Sequence, residues 1–205
     1  MTVIVDYGVG NLFSLSSSLR KIGEPSLVTS DKVAIETADR VILPGVGAFA
    51  DAMKKLEDSG LAGTLKKVAA KGVPVMGICL GMQLLFERSF EYGEHKGLAL
   101  IKGDAAPIVT DPALKIPHMG WNALTFTRSH PLFRYIKEGD AVYFVHSYHA
   151  IKCDDSVIAR AEYGIPVTAA VAKGNVLGCQ FHPEKSGDVG LNILRAFVSL
   201  QEGDL

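Results

Sequence analysis

A cysteine flanked by glycines is the feature of this sequence that most directly suggests chemistry. Cys79 stands in the run Gly77-Ile78-Cys79-Leu80-Gly81, between an apolar stretch and a helical pattern. A Gly-x-nucleophile-x-Gly pattern at a strand-to-helix turn is typical of a nucleophile elbow, here with cysteine in place of serine. The glycines let neighbouring backbone approach a sharp turn where side chains would clash. We therefore predict that Cys79 is a catalytic nucleophile; the alternative is a buried cysteine whose neighbouring glycines serve packing alone.

A histidine and an acid far along the chain supply the groups that such a nucleophile needs. His182 follows an apolar run, precedes Pro183 and is two residues from Glu184. A catalytic cysteine requires a base, and that base is oriented by a third group. Alone, His-Pro-Glu is a weak signal, equally typical of a turn after an edge strand. Together with the Cys79 elbow it predicts a Cys-His-Glu triad.

The first half of the chain predicts alternating strands and helices. Short apolar runs at residues 3–6, 40–43 and 73–78 read as buried strands, and helical spacing covers about 12–22, 49–71 with a break near 59–60, and 80–88. Alternation of this kind indicates a parallel sheet with helices on both faces. In the second half, residues 121–127, 141–146, 157–161, 167–172 and 176–181 read as strands with antiparallel pairing, and 189–200 as a helix. The fold class predicted is α/β, a single domain over residues 1–205.

Composition narrows the kinds of protein that this chain can be. The formal net charge is −1, so no basic field indicates binding to nucleic acid or to a membrane surface. The three cysteines are odd in number and scattered, which is typical of a reducing compartment. The N-terminus lacks the pattern of a signal peptide, and no apolar stretch is long enough to span a membrane. We expect a cytoplasmic protein.

The two motifs together resemble the triad-bearing class I glutamine amidotransferases. That resemblance implies their fold, a central, mostly parallel sheet flanked by helices with additional antiparallel strands. Further stretches are similar, within the class, to the glutaminase subunits of imidazole glycerol phosphate synthases, which act in histidine biosynthesis, and the resemblance spans nearly the whole chain. These stretches are Asp6-Tyr7-Gly8-Val9-Gly10-Asn11-Leu12, Pro44-Gly45-Val46-Gly47, Pro117-His118-Met119-Gly120-Trp121-Asn122, Tyr143-Phe144-Val145-His146-Ser147-Tyr148 and His182-Pro183-Glu184-Lys185-Ser186.

The resemblance implies a reaction and the residues that perform it. Cys79 would attack the side-chain amide of glutamine to form a glutamyl thioester, and His182, oriented by Glu184, would protonate the departing ammonia. Backbone N–H groups of Leu80 and of the Val46–Gly47 region would form the oxyanion hole. The alternative for the Pro44-Gly45-Val46-Gly47 stretch is an ordinary turn that ends a strand.

Four residues match positions of the family that bind the glutamine substrate: Gln83, Glu91, Ser147 and Tyr148. Ser147 and Tyr148 would hold the α-amino acid part of glutamine largely through their backbone. Glu91 has an alternative reading, because Phe90-Glu91-Tyr92-Gly93 is also typical of a solvated loop.

A second set of residues matches the docking face for a synthase subunit that is a (β/α)₈ barrel: Asn11, Met119, Trp121, Tyr143 and Lys185. The resemblance implies a heterodimer through which ammonia passes to the cyclase subunit, giving imidazole glycerol phosphate and AICAR. Trp121 is the only tryptophan, and a core position is its alternative, although tryptophan is enriched at interface hot spots.

No metal or cofactor is expected. His146 and His149 have the spacing closest to a ligand pair, but no cysteine or acid neighbour supports them. Gly8-Val9-Gly10-Asn11 resembles a dinucleotide-binding loop only weakly, because Phe13 replaces the third glycine of that motif.

Three other functions stay open. The chain could supply ammonia to another synthase, such as those that make anthranilate, GMP or pyridoxal phosphate. It could be a peptidase- or chaperone-like protein built on the same cysteine elbow, against which His182-Pro183-Glu184 argues. It could also be a non-catalytic scaffold for a barrel partner, against which the intact triad argues.

Overall fold

Strands and helices alternate through the first half of the chain, as predicted. The computed structural model describes residues 1–204 of the 205. The predicted helical stretch at 49–71 is two helices separated at Ser59 and Gly60. The first-half elements are β1 (Thr2–Val5), α1 (Leu12–Lys21), β2 (Ser26–Thr29), α2 (Lys32–Glu36), β3 (Arg40–Leu43), α3 (Phe49–Asp58), α4 (Leu61–Ala70), β4 (Val75–Ile78) and α5 (Leu80–Leu84).

The second half consists mainly of strands and ends in a helix. Short 3₁₀ helices occur at Pro131–Phe133, Asp154–Ser156, Pro183–Lys185 and Glu202–Asp204. The longer elements are β5 (Arg88–Ser89), β6 (His95–Lys96), β7 (Asp104–Pro107), β8 (His118–Ala123), β9 (Thr125–Phe126), β10 (Ala141–His146), β11 (Tyr148–Ile151), β12 (Val157–Glu162), β13 (Pro166–Lys173), β14 (Val176–Cys179) and α6 (Gly187–Val198).

The central sheet has eight strands in the order β2-β1-β3-β4-β14-β13-β12-β9. Strands β2, β1, β3, β4 and β14 run parallel, and the remaining pairs are antiparallel. Strand β14 therefore pairs antiparallel with β13, as expected of the second half, but parallel with β4. All four of its residues are buried, which suits a strand at the centre of a sheet covered on both faces.

Alternate residues of each strand point to opposite faces of the sheet. Apolar side chains therefore stand on both faces, and helices cover each face and bury them. Val3 and Val5 of β1 pack with α2, α3 and α4, whereas Ile4 packs with α1 and α6. Each buried apolar side chain of this kind contributes about 1.5–3 kcal/mol to the stability of the fold. The two-sided core fixes the positions of β4 and β14, whose ends carry the candidate site.

Two smaller sheets lie outside the central one. Strands β8 and β10 form an antiparallel ribbon in which Trp121 pairs with Tyr143 and His118 pairs with His146. Strands β11, β7, β5 and β6 form a four-stranded sheet. No helix among residues 1–204 combines the length and the apolar character that crossing a bilayer requires.

The helix after Cys79 is shorter than predicted. The apolar pattern indicated a helix to about residue 88, but α5 ends at Leu84. The N–H of Glu87 donates to the carbonyl of Gly103, and Arg88 pairs with Asp104 in β5 and β7. Pairing with a distant segment therefore replaces the last helical turn.

Candidate active site

The turn after β4 holds Cys79 in a strained conformation. Its φ is 54°, a left-handed value that a residue with a side chain rarely adopts. Such a conformation costs about 1–3 kcal/mol and persists only where the surrounding structure enforces it. The N–H of Cys79 donates to the carbonyl of Cys179 at 2.8 Å, which ties the elbow to the end of β14. The sulfur is thereby lifted out of the sheet at the start of α5.

The glycines on either side of Cys79 are required by close packing of the backbone. A Cβ at Gly81 would lie 1.9 Å from the carbonyl oxygen of Leu43 in β3. A Cβ at Gly77 would lie 2.5 Å from the carbonyl oxygen of Gly81. The structure therefore agrees with the steric reason given for the Gly-x-Cys-x-Gly pattern.

The parallel pairing of β14 with β4 brings His182 and Glu184 to the same edge of the sheet as Cys79. In this pairing Cys179 lies opposite Ile78, so the residues that follow both strands are neighbours. The Nδ1 of His182 is 2.8 Å from Oε1 of Glu184, and both side chains are nearly inaccessible to solvent. The N–H of His182 donates to the carbonyl of Tyr143 at 2.9 Å, which fixes the histidine from the ribbon side.

The charges around His182 favour its protonated form. Burial alone lowers the pKa of this imidazole, but its interactions with the Cys79 sulfur and the Glu184 carboxylate outweigh burial and raise the pKa to about 9. The ring therefore carries a proton that it can deliver to a group bound at Cys79. The second carboxylate oxygen, Oε2 of Glu184, is buried without a hydrogen-bond partner, so orienting His182 is the contact made by this side chain.

A cavity of about 470 Å³ opens over the Cys79 sulfur. Glu184 does not line this cavity, and its Oε1 contacts Nδ1 of the His182 ring. Of the residues predicted to act in catalysis, oxyanion binding or substrate binding, the cavity is lined by Cys79, His182, Val46, Gly47, Leu80, Gln83, Glu91, Ser147 and Tyr148.

The segment predicted to complete the oxyanion hole borders the cavity and is exposed. Val46 has 42% of its surface accessible, and Gly47 has a φ of 91°. The carbonyl of Pro44, two residues before Val46, accepts a hydrogen bond of 2.7 Å from the buried hydroxyl of Tyr7. Burial, reinforced by the nearby Cys79 charge, raises the pKa of Tyr7 well above its usual range, so the hydroxyl keeps its proton. Tyr7 belongs to a motif of the resemblance, but nothing in the sequence indicated this contact.

The predicted substrate-binding residues are held by specific contacts. Both hydrogens of the Gln83 amide are used, because Nε2 donates to the carbonyl of Tyr148 and to Oε1 of Gln180, each at 3.0 Å. The amide oxygen of Gln83 is thus the atom left to face the cavity. Oε2 of Glu91 accepts the N–H of Phe49 at 2.5 Å, which ties this residue to the start of α3, although the adjacent Tyr92 is exposed as expected of a solvated loop.

Gln180 is a residue near the nucleophile that the sequence did not indicate. It is fully buried, and its Nε2 donates to the Cys79 sulfur at 3.7 Å. The signal that could have located it is its position directly before Phe181 and His182 at the end of an apolar strand. The other two cysteines are buried thiols, and burial raises the pKa of Cys153 to about 11 and that of Cys179 well above its usual range.

The residues predicted to face a partner lie around the β8–β10 ribbon and the cavity mouth. Trp121 is 59% exposed and Met119 is 60% exposed, so the core reading of Trp121 is wrong. The rings of Trp121 and Tyr143 meet edge to face at 6.0 Å. Lys185 lines the cavity, and Asn11 lies with Glu184 in a small adjoining space. The structure thus groups these side chains next to the candidate site.

Metal chemistry has no obvious site in the described part of the chain. Among residues 1–204, no group of three or more histidine, cysteine, aspartate or glutamate side chains is arranged to hold a metal ion. His146 and His149, the pair with the closest spacing, differ in their contacts: Nε2 of His146 is 3.0 Å from Nδ1 of His118, whereas Nδ1 of His149 is buried with no hydrogen-bond partner among residues 1–204.

Comparison with known protein families gives one match that covers most of the chain. The profile of the family described as "Glutamine amidotransferase class-I" matches residues 3–199.

Individual relatives are similar over nearly their whole length. A protein of Lactococcus lactis named "Imidazole glycerol phosphate synthase subunit HisH" is 48% identical over 197 residues, 96% of this chain and 96% of its own. The protein of the same name from Geobacillus kaustophilus is 50% identical over 208 residues, 99% of this chain and 98% of its own. The one from Aquifex aeolicus is 48% identical over 199 residues, 96% of this chain and 95% of its own.

Solved structures support the fold. A structure described as a glutamine amidotransferase has a TM-score of 0.74 and 19% identity, covering 96% of this chain and 98% of its own. PurLQS from Thermotoga maritima has a TM-score of 0.71 and 23% identity, covering 96% of each chain. At these identities the likeness concerns the fold alone.

Proposed function

This chain belongs to the class I glutamine amidotransferase family, and we propose on that premise that it is the glutaminase subunit of an imidazole glycerol phosphate synthase. It would hydrolyse L-glutamine to glutamate and ammonia and pass the ammonia to a cyclase subunit, as a step of histidine biosynthesis. Relatives at 48% and 50% identity carry the name of that subunit and support the assignment over other synthases. We assign the whole of residues 1–205 to one glutamine amidotransferase domain.

One observation carries the proposal: an elbow cysteine opens into a cavity beside an imidazole that is itself bonded to a carboxylate. Cys79 has the strained φ of 54°, and His182 is 2.8 Å from Glu184. Residues with side chains held at such φ values cluster at active sites, where the strain is part of the mechanism. A purely structural cysteine would need neither the strain nor the cavity.

In the first half of the reaction, the Cys79 sulfur attacks the carboxamide carbon of glutamine. The C–S bond forms as the carbonyl π-bond opens, and the oxygen takes up the negative charge. His182 then gives its proton to the nitrogen, the C–N bond breaks, and ammonia leaves a glutamyl thioester on Cys79. Glu184 keeps the imidazole oriented throughout through the bond at Nδ1.

In the second half, the same histidine acts as the base. His182 takes a proton from water as the water oxygen attacks the thioester carbon. The C–S bond breaks, glutamate leaves, and the proton returns the Cys79–His182 pair to its resting state. Because a single ring donates and then accepts, its position next to both the sulfur and the cavity is what the chemistry requires.

The oxyanion formed in each step needs two donors. We assign the first to the N–H of Leu80, in the first turn of α5, where N–H groups have no partner within the helix. We assign the second to the Val46–Gly47 region at the cavity wall. Loss of one such donor typically costs about 2.7–4 kcal/mol of transition-state stabilisation.

The substrate is held by Gln83, Glu91, Ser147 and Tyr148, which surround the cavity. The carboxylate of Glu91 suits the α-amino group of glutamine. Backbone groups at Ser147 and Tyr148 suit its α-carboxylate and amino group, and the free amide oxygen of Gln83 supplies a further acceptor.

The partner is proposed to be a cyclase subunit with a (β/α)₈-barrel fold, bound as a heterodimer to the face that contains Asn11, Met119, Trp121, Tyr143 and Lys185. Met119 and Trp121 expose apolar surface that a docked partner would bury. The three free cysteines agree with a reducing environment, so we propose that the complex works in the cytoplasm.

The central experiment measures glutamate release by this chain alone, with the barrel subunit, and with the barrel subunit plus its ribonucleotide substrate. We expect substantial release only in the last case. Supplying ¹⁵N-ammonium in bulk together with unlabelled glutamine should give an unlabelled final product, because ammonia travels inside the complex. Free exchange of the label into the product would contradict channelling, and absence of glutamate release in every case would overturn the assignment.

Docking is tested with Trp121→Ala, and the matched control is Tyr135→Ala, an aromatic residue 46% exposed outside the ribbon. Only Trp121→Ala should weaken binding of the barrel subunit, while both variants keep the thermal stability of the isolated chain. Unchanged binding by Trp121→Ala would contradict the proposed docking face. Capture of a different synthase subunit by the wild type would contradict the proposed partner.

A further inference from the structure

Two buried histidines lie side by side next to the candidate site, and one of them, His146, lines the cavity; neither has a role in the reaction described above. His118 of β8 and His146 of β10 are opposite each other in the ribbon, and Nδ1 of His118 is 3.0 Å from Nε2 of His146. The ring of His118 is also stacked between Phe144, at 4.7 Å, and Tyr163, at 4.1 Å. Both rings are therefore fixed in position, and their hydrogen-bonding atoms can be assigned.

Two backbone carbonyls determine which nitrogen of each ring carries the hydrogen. Nδ1 of His146 is 2.8 Å from the carbonyl of Tyr148, which can only accept, so Nδ1 of His146 is the donor. At the other end, Nδ2 of Asn122 donates to the carbonyl of Glu162 at 2.8 Å and faces Nε2 of His118 at 3.2 Å. Nε2 of His118 is therefore an acceptor.

The hydrogen bonds then run in one direction from Asn122 to Tyr148. Asn122 donates to His118, His118 donates from Nδ1 to Nε2 of His146, and His146 donates to the Tyr148 carbonyl. A proton added to either ring would place two donors face to face. Burial lowers the pKa of His118 to about 4 and that of His146 to about 3, so both rings stay neutral near pH 7.

The chain of bonds ends at an atom that also fixes the substrate pocket. The carbonyl of Tyr148 accepts a second hydrogen bond from Gln83, whose remaining amide hydrogen goes to Gln180. Both Tyr148 and Gln83 line the cavity. The orientation of the Ser147–Tyr148 backbone, and of the Gln83 amide oxygen, therefore depends on the donor at His146.

We propose that His118 and His146, each held as the Nδ1–H tautomer, are positioning residues for the subsite that binds the α-amino acid end of glutamine. The inference rests on the proposed function, since it deepens the description of that same pocket. It assigns to the two histidines a structural control of substrate binding and none of the chemistry at Cys79.

The kinetic test uses His146→Phe and His118→Phe in the complex with the barrel subunit. Phenylalanine keeps a ring in each place but removes the donor to Tyr148 or the donor to His146. We expect the KM for glutamine to rise about tenfold, the effect of about one lost hydrogen bond, while kcat stays within about twofold. A fall in kcat at unchanged KM would overturn the proposal, because binding and not chemistry is what the histidines are said to control.

Two further variants separate positioning from packing. His146→Asn places an amide donor near the position of Nδ1 and should recover most of the affinity lost in His146→Phe. His149→Phe alters a neighbouring buried histidine whose Nδ1 has no partner, and it should leave the KM unchanged. An equal rise in KM for His149→Phe would show that the effect comes from packing and would overturn the inference.

A spectroscopic readout is independent of activity. In ¹⁵N-labelled chain at pH 7, Nδ1 of both rings should carry the hydrogen and Nε2 should be unprotonated, the less common tautomer of neutral histidine. The opposite tautomer in either ring would overturn the inference. A wild-type complex that releases no glutamate would overturn the proposed function. An active wild type, together with a normal KM in His118→Phe and His146→Phe, would overturn only this inference.

Discussion

The Cys79 elbow, with His182 and Glu184, differs from Val46 and Gly47 across the cavity in how firmly the residues are held. Cys79, His182 and Glu184 follow strands at the centre of the sheet and are tied by buried contacts of 2.8 Å. Val46 and Gly47 are exposed, and a Cβ placed on Gly47 would meet no atom within 4 Å. The proposed nucleophile and base are thus fixed in place, which we call the rigid side, whereas the proposed second oxyanion donor lies where the backbone has room to change conformation, which we call the open side.

This difference indicates where control over the reaction can be exerted. On the rigid side, the three residues of the proposed triad are already together in the isolated chain, so binding of the proposed partner does not need to assemble them. On the open side, the proposed partner can reorient the peptide at Val46–Gly47, because Gly47 has space around it. The predictions below test each side of this comparison.

The largest effect is expected on the rigid side. Cys79→Ala should lower glutamine-dependent activity on the order of 10⁴-fold or more, as removal of a catalytic nucleophile does in comparable triads. Ammonia-dependent synthesis by the complex should be retained, since the partner's site is untouched. Cys153→Ala, which removes a buried cysteine outside the cavity, is the control. Loss of both activities in Cys79→Ala would mean that the cysteine supports the fold and not the reaction.

On the open side, the partner with its bound ribonucleotide should raise glutaminase turnover by about 10²–10³-fold. This is the range expected when one oxyanion donor is gained. The measurement is glutamate release per minute with and without the loaded partner. A high turnover of the isolated chain would show that the Val46–Gly47 region already donates a hydrogen bond to the oxyanion without the partner. It would end the contrast between the two sides.

Two glycine substitutions compare the sides directly. Gly81→Ala places a Cβ 1.9 Å from the Leu43 carbonyl, so we expect it to lower the free energy of unfolding by about 3 kcal/mol or prevent folding. Gly47→Ala meets no atoms but must hold a φ of 91°, and it should cost about 1 kcal/mol. Chemical denaturation measures both. Equal costs would mean that the two positions are constrained alike.

The last prediction concerns the charge of His182. Its pKa of about 9 exceeds the ordinary value of 6.5, so the folded state binds this proton more tightly than the unfolded state. The resulting stabilisation is fully present below about pH 6.5 and is lost as the pH rises through about 9. In Cys79→Ala, NMR titration should show the pKa of His182 lowered by at least about one unit, roughly 1.4 kcal/mol. An unchanged value would remove the sulfur from the causes of the shift.

Strands were predictable where a short apolar run is bounded by breakers. The predicted bounds of β3 and β10 agree with the structure. Pro44 directly follows the run that forms β3, and Gly139 lies two residues before the run that forms β10. The edge strand β2 was missed because its residues are partly exposed and it spans only Ser26–Thr29. The short strands β5, β6 and β7 were missed because they exist only through pairing between distant segments.

The candidate site divides in the same way. Cys79, His182 and Glu184 stand in local patterns whose chemistry can be read from neighbouring residue types. The functions of Gln180 and Tyr7 depend on contacts with residues far away in the chain, such as the bond from Tyr7 to Pro44. Likewise, the pairing of His118 with His146 follows from ribbon register, which no spacing in the sequence specifies.

The insertion of β14 between β4 and β13 has a consequence for synthesis of the protein. A chain still growing on the ribosome presents Cys79 long before residues 176–184 have been made. Until that last strand enters the middle of the sheet, the sulfur has no base beside it, and unfinished chains cannot waste glutamine. The order of translation therefore delays assembly of the proposed triad until residues 176–184 have been made.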